Sequence, residues 1–267
     1  VAQPRKKVLD ISQLTRLDAW EESKQKITDL FAQINEEDTI DPAFRDAVFS
    51  MRRFLEEFKS FLDTPNALGM PESKVTGETL DELMGIFFPE MEKKIKAIED
   101  FFNNRNGQTE EEQYKYRMFY QKQLHHLMMQ SPFLHRMYFK PLGYPGDYFM
   151  MKMIRDNAYS GTTLFSKLLN KHSTSISMSE ANRNRNEFLC EKLCTYISSH
   201  PEKNTVKLFS VASGPAFEIS DLIEKHPDIV NRAHFTFLDQ EINALKYSQE
   251  QIYEQRIRCD SSIQTDF

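Results

Sequence analysis

The chain has 267 residues and a formal net charge of -6, with 40% hydrophobic, 12% aromatic and 28% charged residues. That is length enough for one large domain or two modest ones, and the 21 Phe exclude wholesale disorder. No run approaches the ~18 apolar residues of a bilayer helix, the acidic balance argues against nucleic acid as a partner, and the 8 Gly, about 3% against a usual ~7%, favour helices over a turn-rich β fold.

From Ser12 to about Leu169 the apolar residues recur with helical period. A first helix carries Leu14, Leu17, Trp20, Ile27, Leu30, Phe31 and Ile34 on one face. Asp41 and Pro42 supply an N-cap and a first-turn proline for a second helix bearing Phe44, Val48, Met51, Leu55, Phe58 and Leu62. A third helix is predicted from about Thr79 to Asn103, bent or interrupted at Pro89, because proline removes a donor and clashes one turn back. Asn106 and Gly107 should end that unit. Thr109 and Glu112 have the spacing of a capping box, which opens a fourth helix through Tyr116, Tyr120, Leu124 and Leu127. The aromatic and Met stripes of these helices read as core. His125 and His126 point about 100° apart on the fourth helix and read as structural or surface groups rather than a shared metal site.

The pattern breaks at Lys140 to Asp147, where two of the eight Gly and two Pro fall within a short stretch. Asp147 is placed to cap the next helix. Two readings stand side by side: a turn between helices, or a rigid loop whose Tyr144, Asp147 and Tyr148 form a pocket wall. Downstream, Ser177 to Glu180 is expected to cap a further helix whose first turns hold Arg183 and Arg185. Arginine near a helix N-terminus is electrostatically unfavourable and fits an anionic partner, although solvated arginines are the commoner outcome. Cys190 and Cys194 lie four apart in that helix, and with Cys259 they number three, which cannot all pair. They read as reduced, structural thiols, with no metal expected.

After Thr205 short β-type runs appear. Val206 to Ala212 is a strand, Ser213 to Ala216 a small-residue turn, and Phe217 to Lys225 a helix. His234 to Leu238 is a second buried strand ending in Asp239, Gln240 and Glu241, where an acidic side chain grips ribose hydroxyls in doubly wound sheets. A helix from Ile242 to about Glu254 follows, and Ile257 to Asp260 is expected to begin a third strand. The opening residues Val1 to Lys7 lack the apolar stretch of a secretion signal, so a cytoplasmic location is expected.

Val211 to Glu218 together with Leu238 to Leu245 resembles the first and second motifs of class I S-adenosylmethionine-dependent methyltransferases. The stretches Ser131 to Phe133, Lys140 to Asp147, Met150 to Ile154 and Asn182 to Arg185 look like the family that makes the methyl ester of 3-hydroxypalmitic acid, an extracellular factor. The resemblance covers about residues 125 to 267 and, with the helical periodicity before it, gives an expected α/β fold: a mostly helical N-terminal domain over 1–130, a helical linker and cofactor-lid region over 131–204, and the first part of a Rossmann-like domain over 205–267. It implies S-adenosyl-L-methionine as cofactor, with Ala212, Ser213, Gly214 and Pro215 along its methionine part, Asp239 on its ribose and Gln240 beside it. It further implies methyl transfer to a carboxyl or hydroxyl oxygen of a small-molecule or fatty-acid-type acyl substrate. Tyr144, Asp147 and Arg183 are the catalytic candidates, with Arg183 or Arg185 holding an acceptor carboxylate.

At roughly 30 residues per strand-helix-strand unit, 205–267 holds about three strands. A methyltransferase sheet of this class has seven, so the sheet is expected to be incomplete, its remainder lying in a missing C-terminal part or a partner chain. A rival of another class is a helical interaction or scaffold module carrying a vestigial nucleotide fold, which would not bind S-adenosylmethionine. An NAD enzyme fits less well, because the turn lacks the full Gly-x-Gly-x-x-Gly pattern.

Overall fold

The computed structural model describes residues 20–29, 40–103, 109–202 and 205–267. Helix α1 is described over residues 20–29; the rest of the expected first helix, and Asn106 and Gly107, lie outside the described residues. There follow α2 (Pro42–Asp63), a 3-10 turn (Glu72–Lys74), α3 (Gly77–Asn103), α4 (Glu110–Met128), α5 (Pro132–Phe139), α6 (Tyr148–Asp156), α7 (Leu164–Ser175) and α8 (Ser177–Ser198). The remainder is β1 (Val206–Val211), α9 (Phe217–Lys225), α10 (Pro227–Val230), β2 (Ala233–Leu238), α11 (Ile242–Arg258) and β3 (Gln264–Asp266). The described structure is thus mostly helical with one small parallel sheet. Among the described residues no helix is long and apolar enough to cross a membrane.

Local chemistry sets several of these boundaries. The Ala43 amide donates to Asp41 Oδ1 at 2.8 Å, which caps α2. At α4 the Thr109 amide donates to Glu112 Oε2 at 3.0 Å while the Glu112 amide donates to Thr109 Oγ1 at 3.2 Å, a reciprocal capping box. Three expectations are corrected. α3 is not interrupted at Pro89 but continues through it to Asn103. α8 begins at Ser177 itself, with Ile176 at the N-cap and no side-chain cap, and Ser179 Oγ donates instead to the Ser173 carbonyl at 3.0 Å. The stretch from Ile257 is not a strand: α11 continues to Arg258, and β3 forms only at Gln264.

The chain divides into two compact units, Val1–Phe54 with Glu92–His125, and Leu55–Met91 with His126–Phe267. The cuts fall inside α2, α3 and α4. In the first unit Phe44, fully buried, sits at the centre of an aromatic cluster, 4.9 to 5.3 Å from the rings of Phe101, Phe102 and Tyr116. In the second, Phe58 stacks on Phe87 at 5.0 Å.

The second unit also holds the sheet, in the order β1-β2-β3 with all strands parallel. Val206 pairs with Ala233 and Val211 with Leu238, and His234 to Thr236 pair with Gln264 to Asp266. Strand alternation sends Val206, Ala233, Phe235 and Phe237 into a core completed by Ile219, Leu222 and Ile223 of α9, Ile252 of α11, and Cys190 and Ile197 of α8. Each fully buried large apolar side chain contributes about 1.5–3 kcal/mol. Cys190 belongs to this core and Cys194 and Cys259 pack against it; burial pushes the Cys190 thiol pKa up. The alternate positions Phe209, Val211 and Leu238 are exposed.

Candidate functional site

Strand β1 ends in a turn that L-residues with bulky side chains would resist. Ala212, Gly214 and Ala216 all take left-handed backbone angles, with φ of 54°, 55° and 47°. For alanine this conformation costs roughly 1–2 kcal/mol, so the turn is held by its surroundings. The Ser213 amide donates to the Leu238 carbonyl at 3.2 Å and the Ala216 amide to the Ser213 carbonyl at 3.2 Å. No side chain caps α9, whose N-cap is Ala216. A Cβ placed on Gly214 would meet nothing within 4 Å, so the backbone there borders open space that a ligand can approach closely.

Asp239, one residue beyond β2, ties this turn to its neighbour strand. Its Oδ2 accepts from the Gly214 amide at 2.7 Å and its Oδ1 from the Glu241 amide at 2.9 Å. A carboxylate has about four acceptor sites, so each oxygen keeps room for one further donor. Glu241 in turn caps α11, accepting from the Asn243 amide at 3.0 Å.

The loop from Gly143 to Asp147 faces the turn. Lys140 ends α5 with φ of 45°, and Gly143 and Gly146 have φ of 83° and 74°, angles that glycine adopts without penalty. Asp147 is 1% exposed and is the N-cap of α6: its Oδ1 accepts from the amides of Phe149 and Met150, both at 3.0 Å. Arg136 Nε donates to both of its oxygens at 2.9 Å, and the guanidinium lies 4.7 Å from the centre of the Phe149 ring. The loop is therefore anchored at its C-terminal end by a partly buried, charge-assisted pair.

Between loop and turn lies a cavity of about 630 Å³ at the C-terminal ends of β1 and β2. Tyr144, Ala212, Ser213, Gly214, Pro215, Asp239 and Gln240, seven of the nine residues singled out in the sequence, line it. Tyr148, Met151, Asn182 and Arg185 complete the wall on the helical side. Burial comes first, and the charges of Asp239, Glu241 and Asp147 second, in pushing the Tyr144 hydroxyl pKa up. That hydroxyl stays protonated at neutral pH, a hydrogen-bond donor and acceptor rather than a base.

Asp147 and Arg183 are placed otherwise. Asp147 is committed to its cap and to Arg136. Arg183 Nη1 donates to the carbonyls of Ile154 at 3.0 Å and Thr174 at 2.6 Å, which ties α8 to the last turns of α6 and α7. Successive helical residues turn by about 100°, so Arg183 and Arg185 point some 200° apart, and only Arg185 reaches the cavity.

No family model matches the chain, and the comparisons with curated proteins and with solved structures give no match either.

Proposed function

We propose that the chain is an S-adenosylmethionine-dependent methyltransferase, or a portion of one, that acts on a carboxyl or hydroxyl oxygen of a small-molecule or acyl substrate. The observation that carries the reading is the cavity itself. In open α/β sheets ligands bind outside the carboxyl ends of the strands, and here a strand, a left-handed small-residue turn and the uncapped start of α9 meet an acid at the end of the next parallel strand. Its volume suits a nucleoside-sized ligand.

The residues present fit the cofactor. Asp239 has acceptor sites left for two ribose hydroxyls, Gly214 opens the backbone to close approach, and Gln240 offers an amide beside them. Tyr144 and Tyr148 would wall the far side, where aromatic faces favour a nearby cation. When bound, the cofactor supplies an electrophilic methyl group on a sulfonium. The protein's own task is then alignment and exclusion of water, and a carboxylate acceptor needs no general base.

A specific observation favours a second reading. Phe209, Val211 and Leu238 expose an apolar sheet face, and parallel sheets are ordinarily covered on both faces; an interaction module with a vestigial nucleotide fold would use such a face. Calorimetry with S-adenosylhomocysteine separates the two. Saturable 1:1 binding supports the methyltransferase reading, and no heat at millimolar ligand with the protein folded removes it.

A further inference from the structure

The first compact unit holds a cavity of about 730 Å³, and every described residue that lines it belongs to that unit. The helical stripes that read as core do not close here. The apolar wall is Phe44 and Met51 of α2 with Ile95, Ile98 and Phe102 of α3. They recur at i and i+7 along α2 and at i, i+3 and i+7 along α3, so each helix turns one stripe toward the space. The rings of Phe44, Phe102 and Tyr116 pack on one another at 4.9 to 6.0 Å, contacts that hold the wall without filling the space.

The polar side comes from α4. Gln113, Arg117 and Tyr120 stand at i, i+4 and i+7 on one face, and none of their side chains has a hydrogen-bond or ion-pair partner among the described residues. A tyrosine hydroxyl taken out of water ordinarily finds a partner. Burial pushes the Tyr120 pKa up, so this hydroxyl stays protonated and can donate. Arg117 is exposed to solvent, where the charged end of a ligand would lie, and its planar fork matches a carboxylate. Glu99 of α3 is the one acid among the described lining residues, and it makes no ion pair with Arg117.

An apolar wall beside three unused donors complements a molecule with an apolar body and one acceptor-rich head. A carboxylate has about four acceptor sites and can take all three donors. The volume lies within the about 300–1,000 Å³ of small-molecule sites, which also join apolar walls to a few placed polar groups.

We propose that this cavity binds an amphipathic monocarboxylate, its apolar body against α2 and α3 and its carboxylate on Gln113, Arg117 and Tyr120. The site shares no described residue with the cavity at the sheet, and it stands whether or not that cavity takes a nucleoside.

The test is calorimetry on the whole chain with dodecanoate, dodecan-1-ol and dodecylammonium, each kept below its solubility or micelle-forming limit. It is run on the parent protein, on Arg117→Gln and on Ile95→Trp, whose indole would occupy the space, each checked by thermal unfolding. The parent should bind dodecanoate saturably at 1:1 and more tightly than dodecan-1-ol. Arg117→Gln should bind dodecanoate about 5- to 10-fold more weakly and dodecan-1-ol as the parent does, and folded Ile95→Trp should lose both. Absence of saturable heat with dodecanoate in the folded parent overturns the site, as does a folded Ile95→Trp that binds like the parent. Equal dodecanoate affinity in the parent and Arg117→Gln, or tighter binding of dodecylammonium, which Glu99 would hold, overturns the carboxylate assignment. S-adenosylhomocysteine binding, measured on the same preparations, reports on the cofactor reading alone.

Discussion

The Gly214 amide donates to Asp239 Oδ2 at 2.7 Å, which joins the turn after β1 to the end of β2 across 25 residues of sequence. The same carboxylate thus shapes the turn and offers its remaining lone pairs to the cavity. Replacing Asp239 should have two separable effects. Asp239→Ala removes the acceptor for two backbone amides and is expected to lower stability by about 1–3 kcal/mol. It should also weaken S-adenosylhomocysteine binding by roughly one to two orders of magnitude. Asp239→Asn keeps one acceptor oxygen and should recover part of the stability while still binding weakly. Thermal unfolding beside calorimetry reads both, and full affinity in a folded Asp239→Ala protein would remove the ribose role.

Asp147 was expected as a wall of the site, and its environment makes it a clamp. Buried, bonded to Arg136 and capping α6, it leaves Arg136 without its carboxylate partner when it is truncated. The Arg136 side chain is 21% exposed and can turn to water, so the loss is that of charge-assisted hydrogen bonds, about 1.5–3 kcal/mol, together with the cap. Asp147→Ala should therefore lower the unfolding midpoint more than any change at Tyr144. Asp147→Asn, which can still cap, should fall between. A variant as stable as the parent would show that the pair contributes nothing.

Arg183 calls for a test that separates stability from binding. Its guanidinium satisfies the carbonyls of Ile154 and Thr174, and hydrogen bonds to charged groups are worth about 1.5–3 kcal/mol. Arg183→Ala should lose roughly that much stability and leave ligand affinity per folded molecule unchanged. Denaturant titration and calorimetry on the same preparation check it. An affinity loss without a stability loss would return Arg183 to the site.

Features set within a few residues were legible in the sequence. The caps at Asp41, Thr109 and Asp147, the strand from Val206, the turn at Ser213 and the acid at Asp239 follow from local donors, acceptors and alternation. What could not be read depends on distant partners. The fates of Asp147 and Arg183 were fixed by Arg136, by Ile154 and by Thr174, and no spacing rule names those. β3 is a polar run, Gln264 to Asp266, that becomes a strand only because β2 presents its edge. Ile257 looked like a strand start, yet it is 66% exposed on the last turn of α11, where helical hydrogen bonding outweighs a local β preference. Ser177 had a capping sequence, but the helix begins one residue too early for it to cap.

The last prediction follows from Glu218, where burial outweighs the hydrogen bond from its own backbone amide and the charges of Arg185 and Arg155, and leaves the pKa above its ordinary value of 4.5. A carboxyl with a raised folded pKa binds its proton more tightly in the folded state. Its contribution to stability is complete below 4.5 and is lost as pH rises through the folded pKa. Glu218→Gln, a neutral group of the same shape, has no such loss. The difference in unfolding midpoint, variant minus parent, should therefore grow as pH is raised from about 4 to 7 and level off once the folded pKa is passed. A difference that is flat with pH would mean that Glu218 ionises in the folded protein as freely as in the unfolded chain.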